Sequence, residues 1–355
     1  MKETFKHLAL GIFLILVCSA ILLISDMSQR RDASADLADA GPASGKWHVH
    51  VIKYMESPAS EQSEAGVYMG LKESGLVEGE DYEIHARSAQ GDIATLRMIV
   101  DAAITANADM IIPLSTPTLQ TVIKRIQDRP VVFTHIANPV LAGAGKSDED
   151  HIPNITGAYN LSDYEGLIRI VRQSIPGLRR VGTLFTTSEL NSRFHRDNMI
   201  DAGKKLGVEV ITVGVNTVSE VTDAAMSMCE QGVDAICQIA DNLCDGSFAT
   251  IAQVADRTGT PLAGFSSHCS EKGAFLVLAR DFEDTGREAG MMAAAVMRGA
   301  DTAGMPFKTI RTSKVLVNLR AAKKLNITIP ESIMGRAEMV IQESGEKVLL
   351  ETGHE

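Results

Sequence analysis

From Trp47 onward, short apolar runs alternate with amphipathic stretches. Four runs in the first half read as strands: residues 48–55, 82–88, 109–115 and 130–136. Helical spacing fills the intervals near 61–75, 92–106 and 117–127, where for example Leu96, Ile99, Val100 and Ala103 form one apolar stripe. The second half repeats the plan, with strands at 180–186, 208–215, 233–240 and 261–267 and helices near 189–206, 219–230 and 246–258. Strands separated by helices of this length pair in parallel through right-handed crossovers. Runs that are apolar throughout, rather than alternating, suit sheets covered on both faces. The pattern predicts an α/β chain of two doubly wound parallel-sheet lobes.

A further strand at 274–280 and a helix from 281 to about 299 are expected to return to the first lobe, and residues 314–325 to cross once more. The first lobe then comprises 47–157 plus 276–310, and the second 158–275 plus 311–340, with a multi-strand hinge between them and a C-terminal tail at 341–355. At 355 residues the chain is long enough for two such units.

The N-terminus breaks the alternation. Lys2 and Lys6 precede an uncharged apolar run of 17 residues from Leu8 to Ile24, long for the core of a cleaved signal and at the short limit for a membrane span. No small-residue cleavage site follows it directly, and Leu16-Val17 rather than small residues precede Cys18. Residues 1–27 therefore read as an uncleaved anchor in preference to a signal segment, and 28–46, small and polar without periodicity, as a flexible tether. The remainder is expected outside the cytoplasm, anchored to its membrane. A net charge of −11 excludes nucleic acid as a partner, since phosphate binding needs clustered Lys and Arg.

In open parallel sheets, ligands sit beyond the carboxyl ends of the strands. Those ends carry Glu56-Ser57, Ser115-Thr116, Asn138, Thr186 to Ser188, Asp241-Asn242 and Ser266. Each group suits a helix cap, and each also aims hydroxyls and free backbone N–H groups at one edge. Facing lobes would bring them to a single cleft, with helix N-termini for a carboxylate and Glu56 or Asp241 for a cation, a combination suited to an amino acid.

With these segments in order ("GLKESGLVEGEDYEI", "STPTLQ", "VFTHIANPVLAG", "NITGAYNLSD", "RDFEDTGREAGMMAAAVMRG" and "NLRAAKKLNITIP"), residues from about 49 to 330 resemble the substrate-binding proteins of ABC transporters, tryptophan/tyrosine-binding type. The resemblance implies a type I periplasmic-binding-protein-like fold and an expected monomer. It also implies a non-enzymatic binder without cofactor that presents a small ligand to an inner-membrane ABC permease. Its pocket positions fall on Glu56, Ser57, Ser115, Thr116, Asn138, Thr186, Ser188, Asn191, Ser192, Asp241, Asn242, Ser266 and Asp281. Asn138 stands where the family commonly has Asp, and Arg280 where it has a small apolar residue; a lost carboxylate and a gained guanidinium favour a more acidic ligand if Arg280 faces the cleft. A membrane-anchored sensor passing its closed state to a signalling partner is the alternative role.

Other chemistry is weaker. The run at 142–150 lacks the first glycine of a phosphate loop, with Val140 in its place. Cys244 and Cys269 follow strand ends, so either a disulfide between neighbouring loops or two free thiols fits. Cys244 with His268 lacks an orienting group for nucleophilic catalysis. His48 and His50 share one strand face with no third ligand evident, so no metal is expected.

Overall fold

The computed structural model describes residues 17–19 and 45–350. Most of the expected anchor and of the tether lie outside the described residues, among which no helix is long and apolar enough to cross a membrane.

The first lobe is built from β1 (Trp47–Lys53), α1 (Pro58–Glu73), β2 (Tyr82–Ser88), α2 (Ile93–Thr105), β3 (Met110–Leu114), α3 (Thr116–Ile123), β4 (Val131–Phe133), α4 (Pro139–Ala142) and β5 (Ile155–Asn160). The second begins with α5 (Tyr164–Ser174), β6 (Arg180–Thr186), α6 (Leu190–Leu206), β7 (Glu209–Val215), α7 (Val221–Glu230) and β8 (Ala235–Gln238). It continues through α8 (Asn242–Gly246), α9 (Phe248–Thr258), β9 (Leu262–Gly264), α10 (His268–Glu271) and β10 (Leu276–Arg280). Then come α11 (Phe282–Met297), β11 (Lys308–Ile310), β12 (Ser313–Asn318), α12 (Leu319–Lys324), α13 (Glu331–Met334), β13 (Ala337–Ile341) and β14 (Lys347–Leu349).

Two sheets result, ordered β11-β5-β4-β3-β1-β2 and β14-β13-β12-β10-β9-β8-β6-β7. Every pair in the first sheet is parallel. Both faces of that sheet are buried: Ile52, Ile111 and Phe133 pack with Leu96 and Val100 of α2, while Val49, Val51 and Ile112 pack with Val67 of α1 and Ala293 of α11. The second sheet is likewise sandwiched, Val181 and Phe275 facing α5 and α6, Leu184 and Val277 facing α7 and α9. The two doubly wound α/β lobes read from the sequence are present.

Two boundaries shift. Residues 276–280 do not join the first lobe: β10 pairs parallel with β9 and antiparallel with β12. All five of its residues are buried, and a uniformly apolar strand carries no signal of which sheet it enters. The helix α11 does return to the first lobe. The tail is also ordered farther than expected, since β14 pairs antiparallel with β13.

The α1–α11 contact is backbone on backbone. A Cβ on Gly66 would stand 2.1 Å from the Glu283 carbonyl oxygen, one on Gly70 2.0 Å from that of Arg287, and one on Gly290 2.3 Å from that of Val67. Glycines spaced by four thus form a seam on each helix, at which no side chain fits. Between lobes the chain crosses three times, after β5, between β10 and α11, and between β11 and β12.

Candidate functional site

The strand ends build the site through helix caps. Ser57 Oγ accepts from the Ser60 N–H at 3.2 Å while Ser60 Oγ accepts from the Ser57 N–H at 2.9 Å, a reciprocal cap on α1. Asp241 caps α8 by accepting from the Cys244 N–H at 2.7 Å. Ser115 differs: its φ of +81° is left-handed and its side chain caps nothing, leaving Oγ 3.3 Å from Thr118 Oγ1. His135 shares the habit with φ +58°. Such backbone costs on the order of 1–3 kcal/mol and concentrates at binding sites.

Between the lobes lies a small cavity of about 20 Å³, room for roughly one water molecule. Among the predicted residues, Ser57, Ser115, Thr116, Asn191, Asp241, Asn242, Ser266 and Arg280 line it. Sequence reasoning missed Ala59, His135, Ile136, Ala137, His195, Ala240, Asp245 and Phe282. Helical spacing held a signal for two of these: His195 stands four residues after Asn191 on α6, and Asp245 four after Asp241. The lobes touch at the rim, where the Ala59 N–H donates to Asp245 Oδ2 at 3.4 Å and Gln62 Nε2 donates to Ser267 Oγ at 2.9 Å.

The remaining predicted residues are not in the cavity wall. Thr186 and Ser192 stand behind it: Ser192 Oγ accepts from the Thr186 N–H at 2.7 Å, and Asp241 accepts from Thr186 N–H and Oγ1 at 2.9 and 3.0 Å. Glu56 pairs with Lys53 at 2.9 Å. Asn138 spends its Oδ1 on the Leu141 N–H at 2.8 Å, capping α4. Ser188 lines a separate surface depression with Pro117 and Lys124. Asp281 caps α11 and pairs with Lys314 at 2.5 Å. For Glu56, Asn138 and Asp281 a cap or ion pair claims the side chain that the sequence had offered to a ligand.

Arg280 dominates the electrostatics. It is 4% exposed, and burial lowers its pKa to about 10, leaving it charged at neutral pH. Nη1 donates to the Asn160 carbonyl at 3.2 Å, the guanidinium lies 4.6 Å over the Phe282 ring, and Nε has no hydrogen-bond partner. No carboxylate forms an ion pair with it among the described residues. Burial, then the charge of Arg280, lowers His135 to about 3 and His195 well below its usual value, so both rings are neutral. His195 Nδ1 lies 2.5 Å from the Tyr164 hydroxyl. Behind the second-lobe wall, Glu189 Oε2 accepts from Asn191 and Asn242 Nδ2 at 3.0 and 2.6 Å. Burial, then the nearby Asp241 charge, raises its carboxyl to about 7.

The cysteines are free, correcting the candidate disulfide. Cys244 and Cys269 both occupy the apolar layer of Phe248 and Ile251, where a thiol packs as a small hydrophobe. Burial raises both thiols well above their usual value, so neither is a thiolate; His268 Nε2 stands 3.6 Å from Asp245 Oδ1 and 4.0 Å from Cys269 Sγ.

Residues 48–341 match the model of the family described as ABC transporter substrate binding protein. The tyrosine-binding protein of Clostridioides difficile (strain R20291) is 26% identical over 280 residues, covering 79% of this chain and 81% of that protein. Among solved structures, an ABC domain from Streptococcus pneumonia in complex with L-Trp superposes with a TM-score of 0.79 at 24% identity, covering 83% of this chain and 99% of that one, a likeness of fold. The ligand-free, open structure of a substrate-binding protein with adhesive properties from Clostridium difficile gives 0.63 at 26% identity, covering 80% and 96%.

Proposed function

This chain belongs to the ABC transporter substrate-binding protein family, and from that premise we propose that its cavity takes up an amino acid or related small carboxylate outside the cytoplasm, the lobes closing over it before delivery to an ABC permease. The observation that carries the reading is Arg280: a buried guanidinium at the cavity wall, unpaired by any carboxylate, with Nε unsatisfied. A buried charge without a partner is costly, so the missing partner is best supplied by the ligand. Asp245 and Asp241 line the same space for an ammonium group, and Ser57, Ser115 and Thr116 offer hydroxyls and helix N-termini.

The tyrosine-binding relative supports an amino acid, and because the closed cavity holds little more than a water the lobes must part to admit it. Because Asn138 is occupied as a cap, preference for an acidic ligand rests on Arg280 alone. Membrane attachment through the N-terminal segment and a monomeric state belong to the same reading. In the alternative role, the closed lobes signal to a membrane partner rather than feed a permease.

Calorimetric titration with L-tyrosine, L-tryptophan, L-glutamate, L-aspartate and small carboxylates tests the proposal. At least one is expected to bind and to be recovered unchanged after long incubation. Absence of binding across the panel, or chemical conversion of the bound compound, would refute it. Reconstitution with the cognate permease separates delivery from sensing: uptake that requires this chain supports delivery.

A further inference from the structure

Histidines 48 and 50 find their neighbours on the adjacent strand. The parallel register sets His48 beside Glu83 and His50 beside His85, so all four side chains leave the same face of the β1–β2 pair. His48 Nδ1 lies 3.8 Å from Glu83 Oε2, and the His48 and His85 rings are nearly parallel, 12° apart, with centroids at 6.4 Å. Potential ligand atoms of His48, Glu83 and His85 all fall within 4.8 Å of one another.

We propose that these three residues form a surface site for a divalent transition-metal ion of the zinc class, remote from the cavity. Two imidazoles and one carboxylate are a donor set that zinc and its neighbours prefer over magnesium or calcium. Zinc–nitrogen bonds of about 2.0–2.1 Å in tetrahedral geometry place ligand atoms about 3.3 Å apart. Reaching that value from the present separations, 3.8 Å for His48 and Glu83 and up to 4.8 Å among the three, takes side-chain rotations that draw the ligand atoms together by up to about 1.5 Å. Three protein ligands leave a coordination position for water.

The surroundings favour a prepared site. The His48 N–H donates to Asp109 Oδ2 at 2.8 Å, and the His48 carbonyl accepts from the Asp109 N–H at 2.9 Å, fixing the strand beneath the ring. Lys46 Nζ holds Glu83 Oε1 at 2.5 Å, leaving Oε2 as the oxygen nearer His48. The buried His50 ring, 5.0 Å from that of His85, backs it from the interior. The side chains of His48 and Glu83 are 36% and 42% exposed, giving an ion access from solvent. Five residues of strand, roughly 17 Å, separate His48 from Lys53 at the cleft end of β1. The ion would fasten the edge strand β2 to β1 without touching the cavity.

Titrating the full chain with zinc chloride at neutral pH, by calorimetry and by thermal melting, tests the assignment. One zinc per chain is expected, with at least tenfold weaker binding in His48→Ala and in His85→Ala, weaker binding in Glu83→Gln, and no response to magnesium. Zinc should raise the melting temperature of the unaltered chain but not of His85→Ala. His85 is exposed, so that variant should stay folded, as circular dichroism would verify. Undiminished zinc binding by both histidine variants, loss of binding in Cys229→Ser instead, or no uptake at millimolar zinc would overturn the assignment. Ligand binding in the cavity is read separately and bears on neither outcome.

Discussion

The two walls of the cavity are unequal. The first lobe contributes Ser57, Ser115, Thr116 and the neutral His135, all held at helix starts or a strand tip. The second contributes every charged lining group: Asp241, Asp245 and Arg280. Both walls come from the same β-α repeat, so the difference lies in what stands behind each tip. Asp241 is held by three hydrogen bonds from Thr186 and Cys244, which offset the cost of burying it, whereas Ser115 sits on left-handed backbone with a single 3.3 Å side-chain contact to Thr118. Under the proposed function, the charged wall would recognise the ligand and the hydroxyl-bearing wall would cover it.

That inequality can be broken most severely at Arg280. Arg280→Ala is expected to weaken ligand binding at least a hundredfold, about 3 kcal/mol, measured by calorimetry. If the first lobe carried recognition instead, the loss would be small. Next, Asp241→Ala removes all three of those hydrogen bonds and should destabilise the second lobe by about 2 kcal/mol in urea unfolding.

The pH response sharpens the contrast further. Glu189 has its folded pKa raised from 4.5 to about 7, so the folded chain binds more protons than the unfolded one within that window. Its contribution to stability is therefore full below about 4.5 and lost as pH rises toward 7. Glu189→Gln, which keeps an acceptor for Asn191 and Asn242, should flatten the decline by about 2 kcal/mol between pH 5 and 7, read from urea midpoints. An unchanged slope would place the titration elsewhere. The smallest effect belongs to the first lobe: Ser115→Gly relieves the left-handed backbone and should raise stability by about 0.5–1 kcal/mol while weakening the ligand only a few-fold.

Much of this was legible in the chain. Apolar runs at the repeat spacing located the strands, and the strand-to-helix junctions located Ser57, Ser115, Thr116, Asp241 and Asn242 because caps and ligand contacts want the same residue types. For that reason the junctions also misled: Asn138 and Asp281 have the right chemistry, yet each is consumed by its own helix. His135 was missed because it stands in the bend beyond β4 with no periodicity to mark it, and His195 because its only signal, the four-residue spacing from Asn191, is shared by every face of a helix. The sheet joined by β10 was equally hidden, since pairing with β12 reaches across more than thirty residues. Glu83 and His85 illustrate the same limit, for only the parallel register brings them beside His48.

The glycine seam between α1 and α11 has a consequence for how the molecule bends. Arg280 closes a strand of one sheet, and two positions later Phe282 opens a helix riveted to the opposite body, with Asp281 alone between them. The cation and the ring it rests upon therefore belong to different moving parts. If those parts swing open as proposed, one slides off the other, and the hold on an anionic ligand would then be tied to the angle of the joint by one short piece of chain.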